Sequence, residues 1–143
     1  MLQLVRIDHD LPDGFERLRA EAEAEGHRNM TRLAEELTSG ATWFEALFAA
    51  FDDGELLGVG GMTVEPAETP EPALRMRRLY VSPRARRMGV ARTLASALLQ
   101  EAFDQVGLVT VHAGGEDAVR FWRSQAFAPV EGHAWSHELR RAT

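Results

Sequence analysis

The chain has 143 residues, 45% of them hydrophobic and 27% charged, with a formal net charge of -6, the profile of one soluble domain over residues 1–143 with its own core. It contains no cysteine, which excludes a disulfide framework, a thiolate nucleophile and a Cys-built zinc site. All 16 basic residues are arginine, so lysine nucleophiles and Schiff bases are excluded as well. No apolar run reaches the length of a membrane span, and "MLQLVRIDHD" lacks the basic-then-apolar order of a signal peptide. With no cysteine, a cytoplasmic location without a membrane partner fits.

Taken in chain order, residues 2–7 read as a short strand, and Pro12 and Asp13 open a helix that Gly26 ends. Asn29 is placed to cap a second helix with Met30, Leu33, Ala34 and Leu37 on one face, closed by "TSG" at 38–40. Residues 45–51 and 56–64 form strands around a turn at Asp52-Asp53-Gly54. The loop "EPAETPEPA" follows, then a strand over 74–81. From Gly89 to Phe103 the apolar residues Val90, Leu94, Leu98 and Ala102 keep helical spacing, with Ala91, Ala95, Leu99 and Phe103 alongside. A strand at 108–112, a helix at 116–125 and a pair of strands at 127–130 and 134–139 complete the chain, with Pro129 suited to an edge. The expected order is β-αα-βββ-α-β-α-ββ, a mixed α/β sheet.

The stretch between the 74–81 strand and the long helix reads "VSPRARRMGVA". Seven of the 16 arginines lie between Arg75 and Arg92, with no acid among them, in a chain whose overall charge is negative. Such local charge demands an anion. A helix N-terminus offers unpaired N–H groups and partial positive charge, Gly89 and Ala91 allow close approach, and Arg84, Arg86, Arg87 and Arg92 can add charge-assisted bonds. The turn therefore reads as a phosphate or pyrophosphate cradle. It is not a Walker-type loop, which needs a lysine, and "GVGGMT" at 58–63 puts Thr63 where a dinucleotide fingerprint needs its third glycine.

"RRLYVSPRARRMGVARTLASALL" resembles the central motif of the GNAT acyltransferases, with Leu79, Tyr80, Val81 and Pro83 at the strand end followed by Arg86, Gly89 and Ala91. "AVRFWRSQAF" is similar to the helix-to-strand segment of that family, and the element order matches it over nearly the whole chain. The resemblance implies a GNAT-type mixed, mostly antiparallel sheet flanked by helices, with the 74–81 strand splayed from the 108–112 strand, often at a bulge. It also implies acetyl-CoA as co-substrate, its pyrophosphate on the backbone from Arg87 through Met88, Gly89, Val90 and Ala91 to Arg92. Leu79 and Val81 would pair with the pantetheine through their main chain, beside Tyr80, and an N–H near Leu79 would point at the thioester oxygen.

The chain departs from the family pattern around one helix. Trp122 stands where a tyrosine usually supplies the acid for the leaving thiolate, Ala126 where a glycine is usual, and Gly115 where an asparagine often helps hold the cofactor. An indole cannot act as that acid; Trp122 is either a wall of the pantetheine channel or a core aromatic. Glu65, at the strand end, and His112, at the end of the strand lining the cleft, are the candidates for moving the amine proton, each with an ordinary structural reading beside it. Arg75 occupies a position where family members often carry a glutamate. Tyr80, the only tyrosine, reads as packing.

In the family the segment "EGHRNMTRL" covers one end of the cleft, so His27, Arg28 and Asn29 are acceptor-binding candidates or plain caps, with Trp43 and Phe44 as walls. Arg28 and Arg32 favour an acceptor with a carboxylate, whereas Glu35 and Glu36 suit a polyamine. His133 and His137 are the only close histidine pair, without further ligands, so no metal is expected. The expected activity is acetyl transfer to a small-molecule or protein amine, and a homodimer is compatible with the sequence. The alternative is a non-catalytic acyl-CoA sensor; a nucleic-acid partner is disfavoured because no aromatics interleave the arginines.

Overall fold

The computed structural model describes residues 1–142. Short apolar runs bounded by turn residues form β1 (Leu2–Arg6), β2 (Ala46–Asp52), β3 (Glu55–Val64), β4 (Ala73–Val81), β5 (Leu108–Val111), β6 (Ala128–Pro129) and β7 (His137–Arg140). The helical repeats form α1 (Phe15–Ala24), α2 (Asn29–Ser39), α3 (Val90–Phe103) and α4 (Glu116–Ser124), with a short 3-10 turn at Pro83–Ala85. The strands make one sheet in the order β1-β2-β3-β4-β5-β7-β6, antiparallel everywhere except between β4 and β5.

Expected and observed orders agree, with differences at the ends. The last pair shrinks to Ala128–Pro129 against His137–Arg140, and Pro129 lies on the outermost strand, where a missing N–H costs no ladder bond. Asn29 is the first residue of α2 and not its cap. Its Oδ1 accepts from the Met30 N–H at 2.9 Å while its Nδ2 donates to the Leu79 carbonyl at 3.4 Å.

Alternation along the strands sorts apolar side chains to two faces. One face packs on α1 and α2 through Leu18, Met30, Leu33, Leu47, Val59 and Tyr80; the other packs on α3 and α4 through Met62, Leu74, Met76, Leu98, Val109 and Trp122. Each fully buried leucine contributes about 1.5–3 kcal/mol. Close approach of α3 to the sheet depends on Gly58. A Cβ there would meet the Tyr80 carbonyl at 2.9 Å and Val90 Cγ1 at 3.1 Å. The first of these is backbone and cannot swing aside, so Gly58→Ala should lower stability by about 1–3 kcal/mol in urea melts.

The central strand pair opens. β4 and β5 pair only from Ala73–Leu108 to Arg75–Thr110, although β4 runs on to Val81. Just beyond, Gly60 on β3 faces both Arg78 and Leu79, because Val59 pairs with Tyr80 and Gly61 with Arg77. Arg78 takes a φ of 57 at this bulge. The extra residue bends β4 away from β5 and leaves a fork between them.

Candidate active site

The Ser82 N–H donates to Leu57 on β3 at 2.8 Å. Peptide directions alternate along a strand, so Leu79 and Val81 turn their main-chain groups to the open side of the fork. At the end of β4 the chain reaches the cradle. Arg87 and Gly89 both adopt left-handed backbone, φ 68 and 78, and α3 starts at Val90. The Thr93 N–H bonds to the Gly89 carbonyl at 3.0 Å, so the N–H groups ahead of it in the first turn have no intrahelical acceptor. A groove of about 290 Å3 lies over them, lined by Val81, Ala85, Arg86, Arg87 and Gly89–Arg92 on one side and Phe121, Ser124 and Gln125 of α4 on the other. Unpaired N–H groups, left-handed turns and positive side chains make this an anion site.

The four arginines of the turn do not act alike. Arg86 forms a double ion pair with Glu25 at 2.5 and 2.7 Å and lies over the Tyr80 ring at 5.9 Å. Arg84 pairs with Glu55 and, at 3.5 Å, with Glu21. These two side chains tie the cradle loop to α1 and β3. Arg87 and Arg92 have no carboxylate partner among the described residues and remain available to an anion. The Arg86 guanidinium, then the Tyr80 hydroxyl, hold the Glu25 carboxyl down to about 2. Burial and that carboxylate push the Tyr80 phenol up, so it stays protonated and donates to Glu25 at 2.5 Å. The side chain of Tyr80 thus belongs to the α1–α2 face.

Trp122 is 5% exposed and packs edge-on to Phe121 and Phe127, at 4.9 and 5.0 Å between ring centres. It does not line the groove; Phe121, Ser124 and Gln125 do. Its surroundings are those of a core aromatic. Two adjacent aromatics on one helix made the inward one ambiguous from spacing alone.

Glu65 is buried at the base of the fork. Its carboxylate accepts from Arg75 Nε at 2.7 Å and Nη2 at 3.2 Å, from the Thr110 hydroxyl at 2.8 Å and from the Ala67 N–H at 2.7 Å. Burial pushes its pKa up, but the Ala67 N–H, Arg75 and Thr110 outweigh it and hold it below the usual carboxylate range. A carboxylate so fully occupied is a weak base. Glu65 clamps β3, β4 and β5 together where the fork begins, a long-range role that sequence reading missed.

His112 follows β5 and is exposed, with no side-chain hydrogen bond among the described residues. His112 lies two residues past Thr110, the last β5 residue paired with β4, and Arg77 two past its partner Arg75, so the two sit on the diverging arms of the fork. In the α1–α2 connection, His27 lies edge-on to Tyr80 at 6.2 Å, Arg28 is exposed, and Asn29 reaches the Leu79 carbonyl. Trp43 is 80% exposed, and Phe44 lies 3.3 Å from where a Gly61 Cβ would stand. His133 stacks on Trp135 and His137 contacts Ser136 at 2.8 Å, so that pair is separately engaged. Among the described residues no three His, Asp or Glu side chains gather as metal ligands, and no helix is long and apolar enough to cross a membrane.

Among solved structures, a candidate acetyltransferase from Exiguobacterium sp. 255-15 superposes with a TM-score of 0.85 at 23% identity, over 98% of this chain and 93% of that one. The AtaT Y144F mutant toxin, bound to the C-terminus of the antitoxin AtaR and acetyl-CoA, gives 0.72 at 16% identity, over 97% and 92%. Arabidopsis thaliana NAA60 in complex with a bisubstrate analogue gives 0.69 at 17%, over 96% and 94%. These likenesses establish a shared fold. Among curated protein sequences none matches the chain. The model of the acetyltransferase (GNAT) family matches residues 8–127, which is most of the chain and takes in the fork, the cradle and α4. The chain belongs to the GNAT acetyltransferase family.

Proposed function

We propose that the protein transfers the acetyl group of acetyl-CoA to an amine by direct attack on the thioester. The observation that carries this reading is the fork: β4 leaves β5 beside a helix N-terminus whose amides are unpaired. The acetyl-CoA held by AtaT supports the same donor here. Its pyrophosphate would sit on the amides from Arg87 to Arg92, with the Arg87 and Arg92 side chains adding charge. The pantetheine would run along the open edge of β4 at Val81 and Leu79, past Phe121.

In the chemical step the amine lone pair attacks the thioester carbon, and negative charge develops on its oxygen. The Leu79 N–H, in the strand beside the bulge, would stabilise that charge. As the C–S bond breaks, the electron pair leaves with sulfur and the amine proton must depart. His112, exposed at the mouth of the fork, is the group offered for that proton. Glu65 is not, because its oxygens are already occupied. Trp122 supplies no acid, so the thiolate takes its proton from solvent.

Thiol release from acetyl-CoA over a panel of amines tests the reading, and the absence of cysteine leaves no protein thiol background. His112→Gln should lower kcat by about a hundredfold or more with CoA affinity unchanged in calorimetry. An unaltered kcat would remove His112 from the mechanism. One observation favours a second reading, a non-catalytic acyl-CoA sensor: buried Trp122 stands where the family usually has its acid. CoA binding without thiol release on any amine would select it.

A further inference from the structure

Three arginines, Arg75, Arg77 and Arg78, lie on β4 from its last pair with β5 into the fork, and two of them are paired with carboxylates. Arg75 is paired with Glu65, and Arg78 holds Glu36 through Nε at 2.8 Å and Nη2 at 2.9 Å. Arg77 is not. Its Nε donates to the Thr63 hydroxyl at 3.2 Å, and no carboxylate lies within ion-pair distance of it among the described residues. It is nevertheless half-buried. Burial, and then the charges of Arg75 and Arg78, pull its pKa down against the Glu36 and Glu65 carboxylates, which act on it without pairing with it.

The chemistry of the missing partner follows from which nitrogens are taken. Thr63 occupies Nε, so the two terminal Nη groups remain as a planar fork, the shape that matches a carboxylate with two parallel bonds. The place follows from the strand. Arg77 is two residues before Leu79, about 7 Å along β4, on the α1–α2 face. His112 lies on the other arm of the fork, two residues past the last β4–β5 pair. Phe44 packs at Gly61, the β3 partner of Arg77. Thr42 ties that connection down by donating to Glu36 at 3.0 Å. A cation, an aromatic ring beside its β3 partner and a histidine just past the paired end of β5 thus belong to the part of the sheet next to the position assigned to the thioester.

We propose that Arg77 binds the carboxylate of the acceptor, so that the amine acylated here belongs to a small amino-carboxylate. The proposal rests on the acyltransferase reading for the transfer itself, but not for the binding. Neutral and polycationic amines lack the group that would balance Arg77 and are poor acceptors.

The test uses pairs of probes: free L-amino acids, β-alanine and γ-aminobutyrate, each against its carboxamide, with the full chain. Turnover is read as thiol release, and binding as the shift in melting temperature with CoA present. The expected result is acylation and stabilisation by at least one free acid and neither by its amide. In Arg77→Gln, which can keep a bond to Thr63, kcat/KM for that acid should fall at least about thirtyfold. Arg77→Lys should lose less, and CoA affinity should not change in either variant. Equal use of acid and amide, or an acid preference that survives Arg77→Gln, overturns the proposal while leaving the acyltransferase reading intact. Binding of an acid but not its amide, lost in Arg77→Gln, with no thiol release on any probe, supports the carboxylate site and overturns the transferase reading. If no acid in the panel binds or reacts, the proposal fails.

Discussion

Gly89→Glu should abolish measurable CoA binding in calorimetry, while Gly89→Ala keeps it within a few-fold. Gly89 sits at φ +78, and a Cβ there would meet nothing within 4 Å. The cost of any side chain is therefore backbone strain, about 1 kcal/mol, and not a clash. Both variants carry that strain and should lose similar stability. They differ in what projects over the first turn of α3. A methyl leaves the groove of about 290 Å3 largely open, whereas a carboxylate places negative charge where the phosphate must lie and competes for the same N–H groups. Equal melting temperatures with opposite CoA binding would assign the effect to the anion site. If Gly89→Glu bound CoA as the native protein does, the cradle assignment would be wrong.

The cradle was legible in the sequence because it is local. A strand end, a run of arginines, one glycine and a helical repeat lie within twenty residues, and each constrains the next. The order of elements along the chain followed for a similar reason, since turn residues bound each strand. What the sequence did not reveal is how the charges pair. Arg86 meets Glu25 across 61 positions and Thr110 meets Glu65 across 45, separations that no local pattern encodes. Arg86 was therefore counted among the arginines that could reach the phosphate and Glu65 among the candidates for the amine proton, with their partners inside the protein unforeseen. Arg77 was hidden by the opposite circumstance. Only after Arg75 and Arg78 find their carboxylates does its lack of one stand out.

Glu65→Gln should cost about 3 kcal/mol or more of stability, because it leaves the Arg75 guanidinium buried without a counter-charge. The pair is deeply placed, with side chains 13% and 1% exposed for Arg75 and Glu65. An amide can still accept from Thr110 or Ala67, but its NH2 group faces one of the two Arg75 donors in place of an oxygen. The loss should appear as a lower urea midpoint. The pH dependence has a definite sign. Glu65 has a folded-state pKa below the ordinary value of 4.5, so its contribution is present above about pH 4.5 and is lost as pH falls through the folded value. The native protein should therefore lose stability on acidification more steeply than Glu65→Gln, and their difference should narrow towards low pH. Catalysis separates a clamp from a base. At a temperature where Glu65→Gln is fully folded, a clamp predicts that kcat falls by less than about tenfold, whereas loss of a general base costs about a hundredfold or more. Intact stability with a collapsed kcat would restore Glu65 to the chemistry. Lower stability with a nearly native kcat would leave it as the residue that holds β3, β4 and β5 together at the point where β4 and β5 part.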